Sequence, residues 1–331
     1  MALNIFDGDD KYYIVGNKFD NNEFNQALVT ERRDKYSFPF GDAEIVEIAF
    51  SGIYIVYGDM LVKKSRLRIK SFDEPDMVEL HFSITGGGIM ENYLTNKRLD
   101  IKANQHNIIY SPDFDGMAEF SVGGPHKFFE VNFERSRFVD LTGESSILLK
   151  NFADKIMNNR SVELSSENLP ISLAMHSCIN DIMNCQFTGG LKLLFLQSKC
   201  LELLALQAQA FELAAKKTDT STIKSTYDKD RIYYAREYLL ANANHPPCLT
   251  ELAKVAGINE FKLKQGFKEV FQNTVFGYLS DYKLMRAKEL LADSSKNIKN
   301  ISDELGYSSV QHFGSAFSKK FGVSPGKARQ G

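Results

Sequence analysis

The chain changes its hydrophobic rhythm twice. From about Glu44 to Phe138, apolar and polar residues alternate in short runs separated by turn residues: EIVEIAFSGIYIVYGDM, SRLRIKSF, DMVELHFSIT, HNIIYSP, MAEFSVGG and KFFEVNF. Alternation with a period of two predicts strands that bury one face. Val78, Leu80, Phe82 and Ile84 share one face of one strand, and Phe129, Val131 and Phe133 share a face of another. Such a series predicts a small barrel or jelly roll over about 40–140 with an interior cavity. Leu80, Phe82, Phe129 and Val131 are the candidate lining of that cavity, where an effector would sit. From about Ser145 to Lys217 the rhythm turns helical. The last helix there, GLKLLFLQSKCLELLALQAQAFELAAKK, is apolar on more than one face, with one seam at Leu194, Leu201 and Ala208 and another at Leu196, Leu203 and Ala210. Either both seams pack on the barrel, or one is covered by a second subunit. The candidate dimer seam is Leu194, Leu201 and Ala208. Residues 218–229, TDTSTIKSTYDK, are polar with no period, which predicts a linker.

Beyond the linker, one pattern occurs twice, forty-nine positions apart. LTELAKVAGINEFKLKQGFKEVFQ runs from Leu249 to Gln272, and NISDELGYSSVQHFGSAFSKKFG from Asn300 to Gly322. Each predicts a short helix, a turn and a longer helix. A small residue, Ala253 or Ser302, precedes a glycine, Gly257 or Gly306, by four positions. The small residue lets the two helices cross closely, and the glycine accepts the positive φ of a tight turn. Two helix-turn-helix units in register predict two helices that enter major grooves of DNA. Thr274 to Asp293 joins them as one long helix with a threonine cap, about 30 Å long at 1.5 Å per residue. Successive major-groove faces on one side of a duplex are about 34 Å apart.

Apolar Leu263, Phe267, Val270 and Phe271 predict the buried side of the first reading helix, leaving Phe261, Lys262, Lys264, Gln265 and Lys268 outward. In the second, Phe313, Ala316, Phe317 and Phe321 are the core stripe, and Val310, Gln311, Ser315, Ser318, Lys319 and Lys320 lie on the outer faces. Lys262, Lys268, Ser318, Lys319 and Lys320 are candidate phosphate contacts, because lysines beside a reading helix are placed to neutralise the DNA backbone.

At this point the residues resemble a known family. The stretch from about Tyr227 to Gln330, and above all FSKKFGVSPGKAR from Phe317 to Arg329, resembles the DNA-binding domain of the AraC/XylS transcriptional regulators. The order of β-rich region, helical segment and paired motif is similar to the family's ligand-responsive members. The resemblance implies an α+β multidomain protein: a cupin-like β-barrel with following helices in an effector-binding and dimerisation domain at 1–217, then an all-α domain with two helix-turn-helix motifs at 230–331. It also implies base contacts at Phe261, Lys264, Gln265, Val310, Gln311 and Ser315, double-stranded DNA and RNA polymerase as partners, a small-molecule effector, and a homodimer. Gln pairs with adenine, Lys with guanine, and apolar groups with the thymine methyl. The family often has arginine where this chain has Ser315, which weakens the case for guanine reading by the second helix. DEPDMVELHFSI from Asp73 to Ile84 and FFEVNF from Phe128 to Phe133 resemble members that respond to iron–siderophore complexes.

Composition adds three points. The net charge of −2 conceals an asymmetry: residues from Asp228 onward carry +5 and the remainder −7, which suits local attraction to DNA without indiscriminate coating of nucleic acid. With 331 residues and 43% hydrophobic content, the chain can build two cores. The start MALNIFDGDDKYY has no leader pattern and no run approaches the ~20 apolar residues of a membrane span, so a cytoplasmic protein is expected. Cys178 and Cys185 share a helical face, which suggests a thiol sensor or metal site, but Cys178, Cys185, Cys200 and Cys248 include no CxxC pair and buried free cysteine is common in helices, which favours buried free thiols. A metal-dependent cupin enzyme fused to a DNA-binding domain is the alternative. It would need two close histidines with a carboxylate, whereas His81, His106 and His126 are scattered singly. No metal, cofactor or catalytic residue is therefore expected. A DNA-repair fusion is disfavoured by the dispersed cysteines.

Overall fold

The computed structural model describes residues 3–7, 11–15, 28–71, 76–216, 225–292 and 296–329. It contains two compact units, Met1–Lys216 and Lys217–Gly331. The first opens with twelve strands: β1 (Leu3–Asp7), β2 (Lys11–Val15), β3 (Thr30–Phe38), β4 (Gly41–Phe50), β5 (Ile53–Val62), β6 (Arg66–Ser71), β7 (Met77–Thr85), β8 (Gly87–Asn92), β9 (Lys97–Lys102), β10 (Gln105–Tyr110), β11 (Phe114–Phe120) and β12 (Pro125–Glu134). Helices α1 (Arg135–Thr142) and α2 (Ile147–Met157), two short strands, β13 (Val162–Glu163) and β14 (Leu169–Pro170), and helices α3 (Leu173–Met183) and α4 (Gly189–Lys216) follow.

The strands form two sheets and not a closed barrel. One runs β2-β1-β6-β11-β8-β9; the other runs β13-β10-β7-β12-β5-β4-β3, with β14 also on β10. Tight turns set the registers. Phe50 pairs with Ile53 across Ser51 and Gly52, both at positive φ, as the right-handed twist of a two-residue hairpin requires.

Alternation sorts the larger sheet into two faces. Val46, Ile48, Phe50, Ile53, Ile55, Val78, Leu80, Phe82, Phe129, Val131 and Phe133 pack with Phe138, Phe152, Met175, Ile179, Leu196 and Leu203 from the helices. Leu80, Phe82, Phe129 and Val131, the expected cavity lining, are each 0% exposed and lie in the core between sheet and helices. The opposite face carries Ile45, Ala49, Tyr54, Val56 and Met77, and Val15 of β2 packs both here and with the smaller sheet's Ile5, Leu67 and Ile69. A period of two tells which residues share a face, but not which layer that face meets.

Ser146 and Ser172 cap α2 and α3, accepting from the backbone N–H groups of Leu149 and Met175. On α4, Leu196, Cys200, Leu203, Leu204, Gln207 and Phe211 are buried. The expected dimer seam splits: Leu194 is 64% exposed, Leu201 is half-buried and Ala208 belongs to the core. A straight helix drifts about 20° per heptad, so residues seven apart leave one face gradually. Cys178 and Cys200 are buried, and loss of solvent pushes both thiols up, away from reactivity.

The second unit is helical: α5 (Thr226–Ala241), α6 (Leu249–Ala256), α7 (Glu260–Phe271), α8 (Val275–Ala292), α9 (Ile298–Glu304), α10 (Val310–Phe321) and α11 (Pro325–Ala328). Of the expected linker, 218–224 lies outside the described residues, while Ser225 caps α5 by accepting from the Asp228 N–H at 3.0 Å. Among the described residues no helix is long and apolar enough to cross a membrane.

Candidate nucleic-acid interface

The two motifs close on the same backbone device. After α6, Gly257 sits at φ 69°, and the Ile258 N–H donates to the Ala253 carbonyl at 3.1 Å. After α9, Gly306 sits at φ 67°, and the Tyr307 N–H donates to the Ser302 carbonyl at 3.0 Å. Each is a left-handed helix end in which the residue after the glycine reaches back to satisfy an orphan carbonyl. Ala253 and Ser302 are 3% and 0% exposed, as close crossing of the paired helices demands. Asn259 then caps α7 at 2.8 Å, and Ser309 caps α10 at 3.1 Å. Thr274 caps the joining helix α8 through the Gly277 N–H at 3.0 Å. That helix has 18 residues and is about 27 Å long.

Each reading helix is anchored on one side by aromatic burial. Leu263 and Phe267 are 0% exposed, with Phe267 against Phe271 and Tyr278. Tyr278 in turn accepts from Arg236 Nε at 2.7 Å. Phe313 and Phe317 anchor α10 beside Tyr307 and Phe321. The other side is open. Phe261, Lys264, Lys268, Val310, Gln311, Ser315, Lys319 and Lys320 are exposed, while Lys262, Gln265 and Ser318 are half-buried.

The lysines differ in a way their positions along the sequence do not reveal. Lys262 Nζ lies 2.9 Å from both carboxylate oxygens of Asp228, whose pKa is held down by that ammonium and by Ser225. Lys320 Nζ lies 2.6 Å from Asp281 on α8. Lys264 makes a looser contact, 3.4 Å, with Glu260 one turn earlier. Among the described residues, Lys268 and Lys319 have no ion-pair partner.

The first unit holds a polar group that the sequence reading missed. His81 Nδ1 is 2.7 Å from Glu79 Oε1 and 3.2 Å from Glu130 Oε1. Burial opposes the imidazolium, but the hydrogen bonds it donates to Glu130 and Glu79, and their charges, outweigh it, raising His81 to about 10. Burial and the neighbouring Glu79 charge push Glu130 up to about 7. His106 has the contrary fate. Wedged between Phe82 and Phe211, it accepts from Gln207 Nε2 through Nδ1 at 2.9 Å, and burial lowers it to about 3.

Comparison with known proteins covers both units. A family model described as the regulatory protein PchR N-terminal domain matches residues 42–223, and one described as a helix-turn-helix domain matches 252–331. Regulatory protein PchR of Pseudomonas aeruginosa is 37% identical over 129 residues, 39% of this chain and 43% of that protein. HTH-type transcriptional regulator ArgR of the same species is 33% identical over 89 residues, 27% of each chain. The match thus spans less than half the length of these curated relatives. Among solved structures, a transcriptional regulator with an AraC-type DNA-binding domain from Chromobacterium violaceum is 26% identical, with 32% of this chain and 95% of that one covered and a TM-score of 0.30. Wild-type ToxT from Vibrio cholerae, solved with an unsaturated fatty acid, is 14% identical over 84% of this chain and 95% of its own, with a TM-score of 0.32. The PchR-type model alone spans more than half of the sequence, and the helix-turn-helix model follows it in order. The chain belongs to the AraC/XylS family of transcriptional regulators, in the group that carries a PchR-type N-terminal domain.

Proposed function

We propose that this chain is a sequence-specific DNA-binding regulator of transcription whose affinity for its sites is set by a small molecule bound in the N-terminal unit. The observation that carries the reading is the pair of reading helices, each pinned by buried residues on one side and open on the other. Phe261, Lys264 and Gln265 meet base edges in one groove; Val310, Gln311 and Ser315 meet them in the next. Lys268 and Lys319 neutralise phosphates, helped by Lys262, Ser318 and Lys320. Residues 1–217 sense the effector and pair two chains, and 230–331 read DNA. Effector binding shifts the population between forms that grip different DNA geometries. An iron–siderophore complex is the effector class to test first, because 73–84 and 128–133 resemble members that respond to such complexes. RNA polymerase contact and a cytoplasmic setting accompany the reading.

The test is selection of bound duplexes by the full chain, followed by footprinting with and without candidate effectors. A protected site of two adjacent major-groove segments, whose affinity changes with effector, is the expected result. Binding with no sequence preference would refute the proposal. Turnover of the effector would instead favour the metal-dependent enzyme reading.

A further inference from the structure

We propose that Glu79, His81 and Glu130 form a binding site for a divalent transition-metal cation, with Asn132 as a further donor beside them. Strands β7 and β12 pair so that His81 stands opposite Glu130, and Glu79 opposite Asn132. The four side chains therefore make a two-by-two block on one face of the larger sheet, the face turned away from the helices. One imidazole nitrogen and two carboxylate oxygens within it lie within 4.8 Å of one another. An ion with bonds of about 2.0–2.2 Å to nitrogen and oxygen needs its donors roughly 3–4 Å apart, so side-chain adjustments on the order of an ångström seat it.

A second observation points to a missing partner. Asn132 is 0% exposed, and neither its Oδ1 nor its Nδ2 has a hydrogen-bond partner. Burying an amide this way is costly unless something accepts or donates to it. Its neighbour across the other strand pair is Tyr54, whose hydroxyl donates to Glu47 at 2.5 Å. An ion among Glu79, His81 and Glu130, with its coordinated water, offers Oδ1 a cation or a donor. It also balances two carboxylates that otherwise share one imidazole. Access remains: the side chains of Glu79, His81 and Glu130 keep 27%, 20% and 17% exposure. One imidazole with two carboxylates suits zinc, manganese, cobalt or ferrous iron, whereas magnesium and calcium favour all-oxygen shells. This inference does not depend on the DNA-binding reading, and its test uses no DNA.

The full chain, stripped with a chelator, is dialysed against zinc or manganese chloride and analysed for bound metal; a copper-loaded sample gives an electron paramagnetic resonance spectrum. About one ion per chain is expected, with affinity falling at least about tenfold in Glu130→Gln and His81→Gln, and by about tenfold in Asn132→Leu. Nitrogen hyperfine structure from one imidazole should appear with copper and vanish in His81→Gln. Asn132→Asp adds a carboxylate and should tighten the same ion, which keeps the test decisive where a charge-removing variant fails to fold. The proposal is overturned if the chain retains no ion, if the variants bind as the parent does, or if Cys248→Ser abolishes binding.

Discussion

Lys262 and Lys264 stand two positions apart on α7, yet one is locked to Asp228 and the other reaches outward. Replacing Lys264 or Gln311 by Ala should cost about 1–3 kcal/mol of specific binding and relax preference at particular base pairs, measured by competition between singly substituted sites. Uniform weakening at every sequence would leave them only phosphate contacts. Lys319→Ala should lower the slope of log affinity against log salt by about one unit. Lys262→Ala should change it less, since that ammonium already has an anionic partner. A separate expectation concerns His106. Its imidazole stays neutral in the native state down to about pH 3, whereas in the unfolded chain it takes up a proton below about pH 6.5. The unfolded state therefore binds more protons in that window, and stability falls as pH drops through it. Denaturant melts from about pH 7 to about pH 4 should show a shallower loss in His106→Gln than in the parent; equal slopes would contradict a neutral buried imidazole. At this scale the sequence reveals what is local. Gly257, Gly306, Ala253 and Ser302 act within one turn and could be read from spacing. The Asp228–Lys262 and Glu79–His81–Glu130 groups join residues 34 and 49 positions apart, and only the packing of α5 on α7 or of β7 on β12 brings them together.

Among the elements, the two motif turns look alike in sequence but differ in their surroundings. A Cβ at Gly306 would lie 3.0 Å from the Asn244 carbonyl oxygen, whereas one at Gly257 meets nothing nearer than the Tyr227 hydroxyl at 3.9 Å. Both substitutions incur left-handed backbone strain, roughly 1–2 kcal/mol. Gly306→Ala adds a tight contact with the Asn244 main chain, which must give way by a few tenths of an ångström. Thermal melts should accordingly place Gly306→Ala below Gly257→Ala in stability, and the reverse order would count against the close crossing of that turn over the 244 segment. Helices were the more legible elements, because capping and a 3.6-residue stripe are properties of one segment. Sheets were less so. Strands β4 to β7 and β10 to β12 could be read from alternation and β8 and β9 could not, while the division into two sheets, and the helix-facing side of Leu80 and Phe82, depend on pairings between distant segments.

At the scale of the whole molecule, the apolar surface left on α4 bears on assembly. Leu191 and Leu194 are each 64% exposed, which leaves a patch at the start of that helix for a second chain to cover. Leu194→Glu should shift the full-length protein towards monomer in sedimentation with its melting temperature retained, while Leu201→Glu, at the edge of the core, should destabilise the N-terminal unit. A parent protein that sediments as a monomer at tens of micromolar, with and without DNA, would end the dimer reading. Helix α8 has a consequence of another kind. In an α-helix each added residue lengthens the rod by about 1.5 Å and turns it by about 100°. A single insertion in α8 would scarcely alter the distance between the two reading helices, but it would swing the second one away from the duplex. Reach and orientation are thus geared together. If α7 and α10 read DNA as proposed, small insertions or deletions in this segment would misalign the second helix, so a change of target site is expected through side chains on α7 and α10 while the rod between them keeps its length.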